Sequence, residues 1–356
     1  MSDISSELIE QVSDAITENR PLNIIGGNSK AFYGRCTQGD SVSISPHRGI
    51  VSYQPSELVI TARAGTKISE LQATLAQHHQ MLVGEPPAFN GKATLGGAVA
   101  TGLSGASRPF SGSIRDAILG VRVINGYAEH LRFGGQVMKN VAGYDVSRLQ
   151  AGAFGAFGIL TEVSLRVKPI PDKTLTMTKS ISAQHALSEM RLLSEKGLPL
   201  SGGAWVDGVL YVRLSGSSPS VDKAHANIGG DLLENADLFW RAIRNFRHPF
   251  FKDKKRLFRL SVAPASPHFS DDESTLIDWA GAIRWVHSSS TFSEVSHLAE
   301  KHGGHAMRFQ GENPRDECFH PLADASVHAH QALKHAFDPN NVFNPGRMYS
   351  WLGSHR

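Results

Sequence analysis

Sulfur, long apolar runs and charge of one sign are all scarce in this sequence. Its 356 residues include two cysteines, Cys36 and Cys318, far apart and with no Cys-x-x-Cys. That excludes a disulfide-rich secreted class and makes a reducing compartment the simplest reading. No stretch approaches the ~18 consecutive apolar residues of a membrane span. Residues 1–20 are acidic and amphipathic, without the basic and apolar regions of a signal peptide. Basic and acidic side chains number 36 and 33, for a net charge of +3, too near balance to argue for a nucleic-acid partner. Neither an internal repeat nor a low-complexity tract is present. What is present is 40% hydrophobic and 19% charged residues, the mix of a chain that buries a core. The length suggests two domains.

Composition divides the chain. Of 34 glycines, 21 precede residue 171, whereas all five tryptophans and 13 of 17 histidines follow it. Pro169-Ile170-Pro171-Asp172 reads as the linker. The domains expected are 1–170, 171–322 and a C-terminal helix and tail, 323–356, returning to the first. The front half reads as short strands (22–25, 49–55, 58–64, 159–167), a helix from Thr66 carrying Ile68, Leu71 and Leu75 at helical spacing, and a hairpin turning at Asn125-Gly126. The back half reads as strand 175–180, helix 183–196, a hairpin over 203–214, helix 221–233, strands 257–263 and 281–287, helix 292–302, strand 306–310 and helix 323–336. The class is α+β, with a ferredoxin-like arrangement expected for the second domain.

Four glycine-containing segments in the front half call for explanation. Gly26-Gly27-Asn28-Ser29-Lys30 follows a strand, and small residues there let backbone N–H groups converge on an anion. The others are Ala93-Thr94-Leu95-Gly96-Gly97-Ala98, the run from Met138 to Asp145, and Gly152-Ala153-Phe154-Gly155-Ala156-Phe157-Gly158. Familiar nucleotide motifs do not fit. Gly91-Lys92 is followed by Ala93, which breaks a P-loop. The last segment spaces its glycines Gly-x-x-Gly-x-x-Gly and enters a strand, so a Rossmann reading fails. Gly102-Leu103-Ser104-Gly105-Ala106 is no hydrolase elbow. Each segment alone could be a tight turn. Four together suit a long ligand with a diphosphate lying against backbone, in a fold that is not Rossmann.

Several motifs resemble a known family. They are Ala64-Gly65-Thr66, Glu85-Pro86-Pro87, Ala93 to Gly97, Arg115-Asp116, the long run Phe133 to Asp145, Phe337-Asp338-Pro339 and Asn344-Pro345-Gly346-Arg347. The chain resembles the FAD-binding E-type subunits of bacterial glycolate oxidase (glycolate dehydrogenase). The resemblance implies a two-subdomain PCMH-type FAD-binding fold of the vanillyl-alcohol-oxidase kind, followed by a cap domain. Carried over to these residues, it implies that Gly26, Gly27, Asn28, Ser29 and Lys30 hold the pyrophosphate and that Thr94, Gly96 and Gly97 line the same channel. It places Lys139, Asn140, Tyr144 and Asp145 near the flavin, and passes Gly155, Gly158 and Ile159 along the cofactor. Asn28 stands where the family often has a third glycine, and asparagine tolerates positive φ. FAD is expected without a covalent link, because the first loop lacks histidine and Cys36 lies beyond it. The family also implies a D-type flavin subunit, an F-type iron–sulfur subunit, a small 2-hydroxy acid substrate and a cytoplasmic complex peripheral to the inner membrane. No metal site is expected. The histidine-rich motif of the D-type subunit is missing, and His302-Gly303-Gly304-His305 reads as a solvent-facing turn.

Two other readings compete. One is a subunit that serves mainly to assemble the complex, its own flavin not catalytic. The other is nucleic-acid binding through Arg241, Arg244, Arg247, Lys252, Lys254, Lys255, Arg256 and Arg259. That basic segment also carries Phe246, Phe250, Phe251 and Phe258. It is a candidate docking surface, or a charged face over an aromatic core stripe.

Overall fold

A computed structural model describes residues 2–135, 145–253, 256–269, 274–311 and 313–353. The chain forms two compact units. Residues 1–103, 113–169 and 313–356 make the first; residues 104–112 and 170–312 make the second.

In the first unit, helix Ser5–Thr17 buries Leu8, Val12 and Ala15, the spacing of one helical face. Strand Leu22–Ile25 pairs in parallel with Asp40–Ser43. An antiparallel sheet runs Ile50–Gln54, Val59–Arg63, Ile159–Pro169, Ile118–Ile124, His130–Gly134, with Gln80–Leu82 added against Ile159–Pro169. Its core gathers Ile60, Ala62, Val121, Val123, Val163 and Leu165 together with Ile68, Leu71 and Leu75 of helix Ile68–Ala76. Ile159–Pro169 is buried on both faces along most of its length, with only Glu162, Arg166, Lys168 and Pro169 reaching solvent, as befits a central strand of the sheet.

The C-terminal residues complete this unit. Leu22 N–H donates to Val342 O at 2.7 Å, and Asn344 N–H donates to Leu22 O at 2.9 Å. Helix Asp324–Phe337 ends at a buried ion pair, Lys334 Nζ to Asp338 Oδ2 at 2.6 Å. The ammonium also donates to Ala156 O and Phe343 O, and the carboxylate accepts from the N–H groups of Val342 and Phe343. Asp338 thus turns the chain back after the helix while neutralising Lys334.

The second unit holds an eight-stranded antiparallel sheet. Its order is Asp231–Leu232, Lys173–Ser180, Val209–Gly216, Leu200–Val206, Thr275–Asp278, Ile283–His287, Leu257–Ser261, His305–Gln310. Helices Ala183–Glu195 and Ser218–Ile228 pack on one core cluster and Phe292–Lys301 on another. The single helix expected over 221–233 is instead helix Ser218–Ile228 and the short strand Asp231–Leu232. Gly229 and Gly230, at φ 66° and 99°, break it. Phe250, Phe251 and Phe258 are buried, and Phe246 packs on Phe251, Trp285 and Phe309. Arg241, Arg247 and Lys252 are exposed. An aromatic core beneath a charged face therefore accounts for the four phenylalanines. Among the described residues, no helix is long and apolar enough to cross a membrane.

Removing one half of a buried ion pair leaves the other charged and unsatisfied. Asp338→Ala is expected to cost about 3–5 kcal/mol. Urea unfolding checks this; a loss below ~1 kcal/mol would show the pair to be incidental.

Candidate functional site

Three of the four glycine segments converge on one place in the first unit. A cavity of about 290 Å³ is walled by the loop from Gly26 to Lys30, by Thr94 and Gly97, and by Phe154, Asn344 and Arg347. A smaller one of about 70 Å³ shares Gly26, Thr94, Gly97 and Asn344 and adds Gly96, Gly155 and Gly158. Ile159 lines neither; it is a buried strand residue opposite Ile124. Asp145 is exposed and caps the short helix Val146–Leu149, its carboxylate accepting from Arg148 N–H at 3.1 Å. Lys139, Asn140 and Tyr144 lie outside the described residues.

The local sequence explains why these loops meet. Ala64 O and Thr66 O accept the N–H groups of Gly96 and Leu95, both at 2.8 Å. Helix Leu95–Thr101 starts there, capped by Thr94 Oγ1, which accepts from Gly97 N–H at 3.3 Å. The motif Ala64-Gly65-Thr66 is thus a ledge on which the second glycine segment sits. The first segment presses on the residues just before that helix. A Cβ at Gly27 would lie 1.6 Å from Lys92 O, so no other residue fits without moving the loop. Asn28 adopts φ 50°, the left-handed conformation that glycine takes most readily.

Asn344 fixes the third wall. Its side-chain oxygen accepts from Ile24 N–H at 2.8 Å, and its amide donates to Phe154 O at 2.6 Å. Phe154 itself has φ 53°. Arg347 donates to the carbonyls of Lys30, Ala31, Tyr33 and Arg35, holding the loop beyond Lys30 in shape. Burial pushes its pKa down from the ordinary arginine value.

The electrostatics are one-sided. Among the described residues, two cations, Lys30 and Arg347, line the larger cavity, and no carboxylate does. Lys30 is 8% exposed, touches Ser29 Oγ at 3.4 Å and lies 5.2 Å from the Phe89 ring centroid. Burial pushes its pKa down to about 8. Among the described residues, the N–H groups of 27–30 have no protein acceptor. A buried ammonium beside open N–H groups, with no acid among the described residues of the wall to balance it, has the chemistry that suits an anion.

The chain is similar to several known proteins. A family model described as an FAD binding domain matches residues 5–134. The glycolate oxidase subunit GlcE of Escherichia coli strain K12 is 46% identical over 350 residues, covering 98% of this chain and 99% of that protein. The chain belongs to the GlcE family. The glycolate oxidase subunit GlcD of Bacillus subtilis strain 168 is 22% identical over 417 residues, covering 97% of this chain and 87% of that protein. A solved alkyldihydroxyacetonephosphate synthase matches with a TM-score of 0.67 at 16% identity, covering 96% of this chain and 74% of that one, a likeness of fold. The architecture is accordingly the PCMH-type FAD-binding fold, and the protein is an FAD-dependent oxidoreductase subunit.

Reading the sequence did not single out Phe154, Cys36, Asn344 or Arg347 as lining residues. For the last two, the signal was the Asn-Pro-Gly-Arg motif, expected to fold back onto the front domain; the residues it meets there, Ile24, Phe154 and Arg35 among them, were not read. If the Gly27 contact with Lys92 sets the cavity, Gly27→Ala should cost about 1–3 kcal/mol by overpacking. Thermal unfolding reads this; a melting temperature equal to wild type would mean that the loop yields freely.

Proposed function

We propose that this chain carries FAD as one subunit of a glycolate-oxidising complex, with Gly26 to Lys30 holding the cofactor's pyrophosphate. The observation that supports the site most directly is Lys30, a buried cation beside N–H groups that have no acceptor, in a cavity with no acid, among the described residues. Thr94, Gly96, Gly97, Gly155 and Gly158 bring backbone close to the rest of the ligand. Asn344 and Arg347 act by holding the walls.

When bound, FAD supplies hydride acceptance, taking two electrons from the 2-hydroxy acid as its carbinol carbon becomes a carbonyl. Glycolate would leave as glyoxylate. The name of the 46%-identical relative supports this substrate. Electrons then pass through an F-type iron–sulfur subunit to a membrane acceptor, with a D-type flavin subunit as the second partner. The complex sits in the cytoplasm against the inner membrane through those partners. Lys139, Asn140, Tyr144 and Asp145 are proposed near the flavin on the strength of the shared motif. The loop Gly27-Asn28-Ser29-Lys30 offers no histidine to the ring, so FAD is held without a covalent link; acid precipitation should leave all the flavin in the supernatant and a colourless pellet.

The test begins with the visible spectrum of the purified chain, which should show flavin bands. Anaerobic glycolate should bleach them in the assembled complex. Bands that persist there while glycolate is turned over would assign this subunit to assembly. Losing one charge-assisted contact of about 1.5–3 kcal/mol, Lys30→Met should weaken FAD binding by roughly 10- to 100-fold. The pH dependence has a definite sign. Below about pH 8 Lys30 is already charged and attracts the diphosphate. Above it, binding must also take up a proton, so affinity should fall as pH rises. Titrations of FAD between pH 7 and pH 9.5 test this, and a flat profile in wild type would remove Lys30 from the phosphate site.

A further inference from the structure

Behind the cofactor cavity lies a buried histidine that the proposed function does not use. His47 is fully buried. Its Nδ1 accepts the Ile4 N–H at 3.2 Å, so the ring is neutral and carries its proton on Nε2. Nε2 is buried too and has no hydrogen-bond partner among the described residues. Residues 2–4 close over the ring. Ser2 bridges to Arg48 and its hydroxyl donates to Pro46 O, while Asp3 pairs with Arg63 at 3.0 Å.

The histidine's own loop backs the cavity wall. His47 O accepts from Gly65 N–H, and Ile44 N–H donates to Ile25 O, both at 2.8 Å. Ser45 Oγ donates to Gly26 O at 2.8 Å. Gly26 lines both cavities, and Ile44 and Ala64 line the smaller one. A Cβ at Gly65 would lie 2.1 Å from Ile44 O and 2.6 Å from His47 O, so the loop already presses on the ledge of residues 64–66. Residues 2–4, His47 and the first glycine segment thus form one connected series of contacts.

We propose that His47 is a positioning residue for the cofactor: its neutral ring clamps residues 2–4 onto the loop 44–47, and a proton on Nδ1 opens the clamp and loosens the wall. The inference rests on the cavity being the cofactor site. A protonated Nδ1 is a donor facing the Ile4 N–H, a second donor, so that hydrogen bond is lost. Asp3 Oδ1 stands 3.8 Å from Nδ1 and comes within hydrogen-bond distance only when residues 2–4 shift. The Ser5 hydroxyl and N–H, with Arg63, hold the Asp3 carboxyl well below the usual carboxylate range, so it stays ionised. Glu162, paired with Arg122 at 3.3 Å, also favours a charged ring; Arg63 and His130 oppose it. Burial outweighs these charges and pushes the His47 pKa down. The opened clamp therefore binds more protons below about pH 6.5, the ordinary histidine value, and the closed one weakens as pH falls.

The experiment uses the full chain, stripped of flavin and titrated with FAD from about pH 7.5 to about pH 5.5, a range in which Lys30 stays charged. Hydrogen exchange of the peptide covering residues 2–8, corrected for its intrinsic rate, follows the clamp separately. Wild type should lose FAD affinity roughly 2- to 10-fold across the range, the worth of one hydrogen bond, and exchange at residues 2–8 should quicken in step. His47→Asn keeps an acceptor near the place of Nδ1 but takes no proton, so its affinity and exchange should stay level. Asp3→Asn removes a charge that favours the protonated ring, so its acid loss should move to lower pH. Wild-type affinity that stays level under acid would overturn the proposal with no variant needed. An acid loss undiminished in His47→Asn would overturn it too, by assigning the proton to another group; His130, which burial and Arg122 also push down, is the first candidate. An unmoved acid loss in Asp3→Asn would have the same force. A stripped chain that takes up no FAD even at the upper end of the range would instead refute the cofactor reading, and this proposal with it.

Discussion

Everything at the site hangs on the side chain of Asn344. One planar amide accepts from Ile24 N–H and donates to Phe154 O, while its own backbone N–H reaches Leu22 O. It thereby ties the entry to the first glycine loop to the start of the last one. Those partners are 320 and 190 residues away along the chain. Closing such long loops costs entropy that only dense local bonding recovers. The bonding is there: Lys334 and Asp338 fix the turn before Asn344, and Arg347 grips four carbonyls just after it. The cavity is consequently complete only when the C-terminal residues lie against the first strand.

This dependence explains what could be read in the sequence. The glycine segments were legible because close backbone contact and positive φ leave a compositional mark. Thr94 was legible as part of a motif, and its physical role turns out to be a helix cap. The helix it caps was not legible. Leu95–Thr101 begins with Gly96-Gly97, poor helix formers, and holds because Gly96 packs on Ala64 and its N–H bonds to Ala64 O. Tertiary contact overrides propensity there. Helix Ser5–Thr17 showed only as an amphipathic acidic stretch. The strand Thr275–Asp278 was missed as well: four residues are too few for a periodic pattern to stand out. Ile159 shows the converse limit. A motif carries a whole segment toward a ligand, yet a central strand buries side chains on both its faces.

Phe154 and Cys36 mark a further limit. Nothing local distinguishes an aromatic that will sit at φ 53° from one in an ordinary turn. Nothing near Cys36 in sequence announces Pro314 or Arg347. Their meaning is fixed by the C-terminal return, which lies about as far from them as the chain allows.

Two buried lysines in the same unit show how the protein separates structure from binding. Lys334 is 3% exposed and Lys30 is 8% exposed, and burial pushes both pKa values down. Lys334 answers that cost internally, with Asp338 and two carbonyls. Lys30 answers it with a hydroxyl at 3.4 Å and the face of a phenylalanine ring. A charge left so poorly compensated is destabilising by itself. Under the pyrophosphate role proposed for Lys30, a ligand that neutralises it recovers the loss on binding, and whatever binds the native state alone also stabilises it. On the proposed pyrophosphate role, phosphate affinity and the stability of the first unit are two readings of one electrostatic demand, which no carboxylate among the described lining residues meets.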